Sequence, residues 1–408
     1  MEEETTVVVG GGAAGFFAAI HVAEARPHGR VVILERGKSV LEKVRISGGG
    51  RCNVTHACWD PRDLIRYYPR GGKELLGPFH KFACGDTMAW FEERGVPLKI
   101  EEDGRIFPVS DSSASIIECL ERQARRHGVA VITGTRVTGC TAPAPRRNKW
   151  VVHTTRGDSH ADRLVVTSGS NSAVWGWLGA LGHTIVSPVP SLFAFNVPEP
   201  ALRQLAGISV PWARITISEP ALSAEGPLLI THKGLSGPAV LRLSAWGARD
   251  LHPLTYRFQV AVNWVNAREA DAVAELKRAR EDRSRQQVST RALYGLPLRL
   301  WQYLVARAEI DGQRQWAQLS NAEITGLARV LVRSEHPVTG KATNKDEFTT
   351  AGGVALNEVH FTGFQSKLYP SLYLAGEVLD VDAITGGFNF QAAWTGGYLI
   401  GEAVKSVP

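Results

Sequence analysis

Three glycine-rich stretches, with the polar side chains set among them, hold the residues best suited to chemistry in this sequence. In TTVVVGGGAAGFFAAIHVAEA, residues 5–25, Gly10, Gly12 and Gly15 stand in G-x-G-x-x-G spacing. Such a pattern turns tightly at the first glycine. It lets backbone approach a pyrophosphate at the second, and lets a helix pack close to a strand at the third. In ISGGGRCNVTH, residues 46–56, three glycines precede a guanidinium, a thiol and an amide: Arg51, Cys52 and Asn53. In TGGFNFQAAWTGGYLIGEAV, residues 385–404, Gly386 and Gly387 precede apolar residues at helical spacing, with Asn389 and Gln391 close to the start. The chemistry these stretches offer is phosphate binding and stabilisation of developing negative charge. The sequence presents no Ser/His/Asp triad, paired-carboxylate site or metal cluster.

The elements that must position these residues are a strand and a helix around each turn. A β-branched run, Thr5 to Val9, precedes the first turn, and a helical segment follows it. The helix start then directs its partial positive charge at the phosphates. A second strand, RVVILE, ends in Glu35, about 20 residues beyond the turn, where this fold places a carboxylate on a ribose hydroxyl. After Glu35 a plain dehydrogenase continues into a regular helix and third strand. This chain inserts the long polar loop GKSVLEKVRISGGGRCNVTH, as expected of FAD proteins that wrap the ADP part and reach the flavin ring. Gly48, Gly49 and Gly50 let that loop pass close to the cofactor. Arg51 and Asn53 supply charge and hydrogen bonds to pyrophosphate or flavin. Cys52 reads as a packed thiol, because no partner cysteine is near in sequence. The strand SLYLAGE ends in Gly376 and Glu377 and places a carboxylate on the ribityl chain, with Asp380 as the alternative. A helix opening at Gly386 and Gly387 points backbone N–H groups at flavin N1 and O2 and favours the reduced flavin.

The totals bound the rest. A chain of 408 residues implies two or three domains. The net charge of +6 comes without a dense Lys/Arg run interleaved with aromatics, so nucleic acid is not an expected partner. Five cysteines without a C-x-x-C pair argue against a disulfide framework, a zinc site and a dithiol centre. The acidic start MEEETTVVVG is not a signal peptide, and no apolar run is long enough to span a membrane, so the cytoplasm is the expected location.

ISGGGRCNVTH resembles the signature of the YhiN/BaiN-like flavoproteins, a family that includes aminoacetone-oxidase-like FAD enzymes. GRIFPVSDSSASIIECL, LGHTIVSPVPSLFAF, LLITHKGLSGPAVLRLS, and AGGVALNEV with SKLYPSLYLAGEVLDVDAITGGFNFQAAWTGGYLIGEA resemble further blocks in the family's order. The resemblance spans nearly the whole chain and implies FAD as cofactor. It implies that Val137 meets the adenine half through its backbone, and that Ser168-Gly169 stands for an ATGG turn near the flavin. The candidate cofactor set is therefore Gly10, Gly12, Ala13, Ala14 and Gly15; Glu35 and Arg36; Lys43, Ser47, Gly48, Gly49, Gly50, Arg51, Cys52 and Asn53; Val137, Ser168 and Gly169; Gly376, Glu377, Asp380, Gly386, Gly387, Phe388 and Asn389. The chain departs from the family at Ala383, in TSGS over residues 167–170 where the family has ATGG, and in the shortened stretch NSAVWGWLGA with Trp175 and Trp177. These departures bear on the substrate, not on FAD binding.

The fold class expected is α/β: a two-dinucleotide-type, Rossmann-like FAD domain interrupted by an insert with a β-barrel-like part and a helical part. Residues 1–188 and 346–408 form the two parts of the FAD domain. Residues 189–345 form the insert, β-rich over 189–265 and helical over 266–335, and cover a small-molecule substrate. Ser320 and Glu323 form a capping box there. His232, in THKGLSGPAVL, is the candidate proton donor after hydride transfer; a hydrogen-bonded structural histidine is the alternative. The resemblance implies either oxidation of a small amine by oxygen or reduction of a conjugated double bond in a steroid-like acid, with NAD(P)H as a transient donor at the flavin face. An RNA-associated flavoprotein and a flavin-binding module without turnover are the other readings. Oligomeric state is not legible.

Overall fold

A computed structural model describes residues 3–144, 148–342 and 349–406. The chain divides into two compact units, Met1–Val189 with Lys345–Pro408, and Pro190–Asn344.

The first unit is built on a parallel sheet. Strand β1 (Thr5–Val9) pairs in parallel with β2 (Arg30–Leu34) on one side and with β4 (Arg163–Val166) on the other. Next to β2 lies β3 (Ala130–Ile132), and next to β4 lies β5 (Leu372–Leu374), again in parallel. The order β3-β2-β1-β4-β5 sets the last strand of the chain two places from the first. Val7, Val8, Val9, Val165 and Val166 are all buried, which is why these strands read as unbroken apolar runs. Helix α1 (Ala13–Ala25) follows the first turn and α2 (Ser113–Arg126) precedes β3. Ser112 caps α2 by accepting from the Ala114 N–H at 3.3 Å, and Gly128, at φ +70°, follows its end. Helix α3 (Phe388–Lys405) packs closely on α1: a Cβ on Gly397 would lie 2.8 Å from Ala18 N, and one on Gly401 2.4 Å from His21 Cβ. A three-stranded antiparallel sheet joins Thr55–His56, Arg105–Pro108 and Leu98–Ile100.

The second unit carries a seven-stranded antiparallel sheet in the order Ser334–Val338, Phe258–Asn263, Ser209–Ile217, Leu222–Thr231, Gly234–Ser236, Ala194–Asn196, Gly340–Ala342. Its two outer strands are one continuous stretch of chain broken at Thr339, so the sheet curls round towards itself like a barrel. Helices Glu269–Asp282, Leu298–Arg307 and Asn321–Val332 belong to the same unit. Leu276, Leu304 and Leu327 from them share one core with Val260 and Val262 of the sheet and with Trp264, just past that strand's end. Ser320 accepts from the Glu323 N–H at 3.2 Å while Glu323 accepts from the Ser320 N–H at 2.7 Å, a complete capping box.

Candidate cofactor site

The turn after β1 shows two kinds of glycine. A Cβ on Gly15 would stand 1.9 Å from the Gly10 carbonyl oxygen, and one on Gly10 2.6 Å from the Thr167 carbonyl oxygen, so the fold itself demands these two. A Cβ on Gly12 would meet nothing within 4 Å, and its φ of −92° suits any residue. The protein therefore places no internal requirement on Gly12, and the space beside it is the cradle a pyrophosphate needs at the start of α1. Glu35 reaches back to this turn. Its carboxylate accepts from the Gly11 N–H at 2.8 Å and the Gly37 N–H at 2.6 Å. A cavity opens here, lined by Gly10, Glu35, Arg36, Val137 and Ser168 of the residues expected from sequence, and also by Thr135, Arg136, Asn171 and Val174. It has the place and lining for the adenosine end of a dinucleotide.

Lys43 and Glu377, 334 positions apart, pair at 2.5 Å. The Glu377 carboxylate lies 3.6 Å from a Cβ placed on Gly169, and Gly376, at φ +75°, sits over Ala14. The inserted loop, the turn after β4, the first turn of α1 and the turn after β5 thus meet at one point. Ala13 opens α1 and Ala14 is buried behind it. Asp380 is also buried.

The loop 46–56 earns its glycines. Gly48, Gly49 and Gly50 all have positive φ, at +56°, +69° and +86°. A Cβ on Gly49 or Gly50 would meet nothing within 4 Å. Ser47 closes the turn: its hydroxyl donates to Val44 O and its carbonyl accepts from Cys52 N. Cys52 is fully buried at φ +63°, and burial pushes its thiol up to about 12. It is a packed, protonated thiol. Arg51 turns to Glu101 at 2.6 Å and Asp111 at 3.4 Å and lies over the Phe107 ring at 3.9 Å. The hydrogen bond it donates to Glu101 raises its pKa despite some desolvation, so the guanidinium has protein partners of its own.

The same loop is stitched to the start of α3. The Asn53 amide donates to Thr55 O at 2.9 Å and accepts from Gly387 N at 3.1 Å. Trp394 Nε1 donates to Val54 O at 2.9 Å, and the Thr55 hydroxyl donates to Gln391 Oε1 at 2.6 Å. Thr87 donates to the same oxygen at 2.9 Å. Asn389 holds the preceding turn through both backbone groups of Ala383, at 2.9 and 3.1 Å. Tyr68 donates to the Phe388 carbonyl at 2.6 Å. Asn53 and Asn389 thus shape the turn that presents the α3 N-terminus. Sequence reasoning missed Arg70, whose guanidinium pairs with the fully buried Asp382 beside this turn. It also gave no role to His56 or Tyr67, whose rings stack with Phe388. His56 lay inside a quoted motif, but nothing local marks Arg70 and Asp382, 312 positions apart. His232 lies exposed in the turn between Leu222–Thr231 and Gly234–Ser236, in the other unit. Among the described residues no cluster of His, Cys, Asp and Glu could hold a metal, and no helix is long and apolar enough to cross a membrane.

The profile of the HI0933-like protein Rossmann domain matches residues 4–403. The chain is 29% identical over 405 residues, 97% of each chain, to a 3-dehydro-bile acid delta(4,6)-reductase of Clostridium scindens. It is 27% identical over 378 residues, 90% of each chain, to a ribosomal RNA dihydrouridine synthase of Escherichia coli. Among solved structures, 3-ketosteroid-delta4-(5alpha)-dehydrogenase from Rhodococcus jostii superposes with a TM-score of 0.51 over 99% of this chain and 97% of that one. At 14% identity that likeness speaks for the fold alone.

Proposed function

This chain belongs to the HI0933-like Rossmann family and is an FAD-dependent oxidoreductase, and on that premise we propose that it reduces a carbon–carbon double bond conjugated to a carbonyl, with NAD(P)H as the electron source. One observation carries the reading. Relatives matching nearly the full chain are a bile acid delta(4,6)-reductase and ribosomal RNA dihydrouridine synthases, and both names describe saturation of such a bond. Aminoacetone-type amine oxidation, the other activity expected from sequence, has no counterpart among these names.

The chemistry bound FAD supplies is two-electron, hydride-equivalent exchange. The chain's own residues hold and tune it. Gly12 and the α1 N-terminus take the pyrophosphate, and Glu35 the adenosine ribose. Lys43 and Glu377 would hold the ribityl chain. The first N–H groups of α3, fixed by Asn53 and Asn389, would supply positive charge to a bound flavin and would stabilise its reduced form. Cys52, protonated and enclosed, takes no electrons.

A small steroid-like enone is the substrate this reading favours, because the bile acid reductase shares the higher identity. A uracil in RNA is the second reading, favoured by the two dihydrouridine synthases at 25% and 27%. Incubation of the holoprotein with NADPH or NADH and either a conjugated 3-oxo-steroid dienone or an unmodified ribosomal RNA, without oxygen, and in a separate arm with aminoacetone and oxygen, separates the cases by mass spectrometry. Gain of two hydrogens by the dienone is the expected result. Gain by the RNA alone selects the second reading, and turnover of aminoacetone alone sinks both.

A further inference from the structure

We propose that His56 is the proton-accepting partner of flavin reduction: its imidazole is neutral beside the oxidised cofactor and takes up one proton when the cofactor is reduced. This rests on the FAD reading above and adds a residue to it. The imidazole is built into the α3 N-terminus. Its Cδ2 lies 3.4 Å from the position of a Cβ on Gly386, the glycine next to the helix cap. Its ring stacks on Phe388, the first residue of α3, at 4.7 Å and 20°. Phe388 stacks on Tyr67 at 4.3 Å and 9°. From below, the ring rests on Gly104, where a Cβ would come within 2.5 Å of Cε1, so its plane is fixed. Nδ1 is buried, and the Asp103 backbone is the hydrogen-bonding group that acts on the ring.

The surrounding groups keep the ring neutral before reduction. Burial lowers the His56 pKa below its ordinary value; Asp103 opposes this and Arg105 adds to it. The same segment also carries Glu102 and Glu101, the latter paired with Arg51 and Arg105. Tyr67 faces the ring from its stack, and Cys84 touches the His56 backbone from helix Cys84–Glu92. Residues 383–388 contribute no titratable side chain. Reduction by a nicotinamide or dithionite adds two electrons and one proton to the flavin, leaving net negative charge at its N1–C2=O edge. Negative charge at the α3 N-terminus favours the imidazolium next to it. The second proton of the two-electron step then resides on His56 instead of on N1.

The test is the midpoint potential of the FAD-bound protein, equilibrated with reference dyes across the range where histidine titrates. One proton per two electrons gives a slope of about 30 mV per pH unit and two protons about 60 mV, by the two-electron Nernst constant. The wild type is expected to show a segment of the steeper slope ending in a break that His56→Gln lacks. Should His56→Gln not fold, His56→Phe, which keeps the stack, replaces it. Equal slopes in wild type and variant, or a wild-type slope of one proton throughout that range, overturn the proposal. A holoprotein that shows the break yet saturates no conjugated ketone contradicts only the reaction proposed above. A chain that takes up no FAD overturns both.

Discussion

At the scale of single residues, sterics and burial separate what serves the fold from what serves the ligand. Gly15 serves the fold: its Cβ would stand 1.9 Å from a backbone oxygen. Gly15→Ala is expected to destabilise by at least about 3 kcal/mol, the upper end for overpacking, visible as a lowered urea midpoint. Cys52 serves packing. Cys52→Ala should cost about 1 kcal/mol, the worth of one small buried group, and leave flavin reduction by dithionite or NAD(P)H unchanged. A variant that folds and binds FAD but is not reduced would show instead that the thiol takes part. The sequence marks the glycines plainly, because positive φ and close approach leave few other choices. It is silent on where charged side chains turn. Arg51 reads as a ligand for phosphate or flavin, yet it lies against Glu101, Asp111 and Phe107, partners that sequence distance hides.

At the scale of elements, the site depends on a loop being held against a helix start. The strand–turn–helix at residues 5–25 and the capping box at Ser320 were legible, because each rests on local periodicity or caps. The stitching of residues 53–55 to Gly387, Gln391 and Trp394 was not legible, because it joins segments more than 300 positions apart. The Arg70–Asp382 pair belongs to this same long-range class, with side chains 10% and 0% exposed. Removing one partner takes this salt bridge away from a charge that stays buried. Arg70→Ala is therefore expected to cost about 3–5 kcal/mol. The double variant Arg70→Leu with Asp382→Leu should cost clearly less than the sum of the two single changes. Additive losses in denaturant melts would show that the two side chains are not coupled.

At the scale of the whole molecule, an acidic pH limit to stability is expected from Glu199 in the second unit. Burial raises its pKa, but hydrogen bonds from His336 at 2.8 Å and Tyr303 at 2.6 Å, with the charge of Arg307, bring it from 4.5 down to about 2. A carboxylate with a depressed folded-state pKa stabilises fully above its unfolded value and loses that contribution as pH falls towards the folded one. Glu199→Gln should thus melt well below the wild type at neutral pH, and the gap should narrow as pH drops from 4.5 towards 2. A gap constant over that range would show that the charge contributes nothing. The overall α/β architecture was legible because both ends of the chain carry turns of one nucleotide site, and β5 beside β4 brings them together. Which side chains of the insert meet the substrate was not legible, because no local pattern records which distant side chains come together. The most direct measurement is the FAD content of purified wild type and of Gly12→Val, taken together with the melting temperature of each FAD-free chain. A Cβ on Gly12 touches nothing in the protein, so the account predicts equal melting temperatures, one FAD per wild-type chain and little or none in the variant. Equal FAD content in both, or a wild type that takes up no FAD, would contradict it.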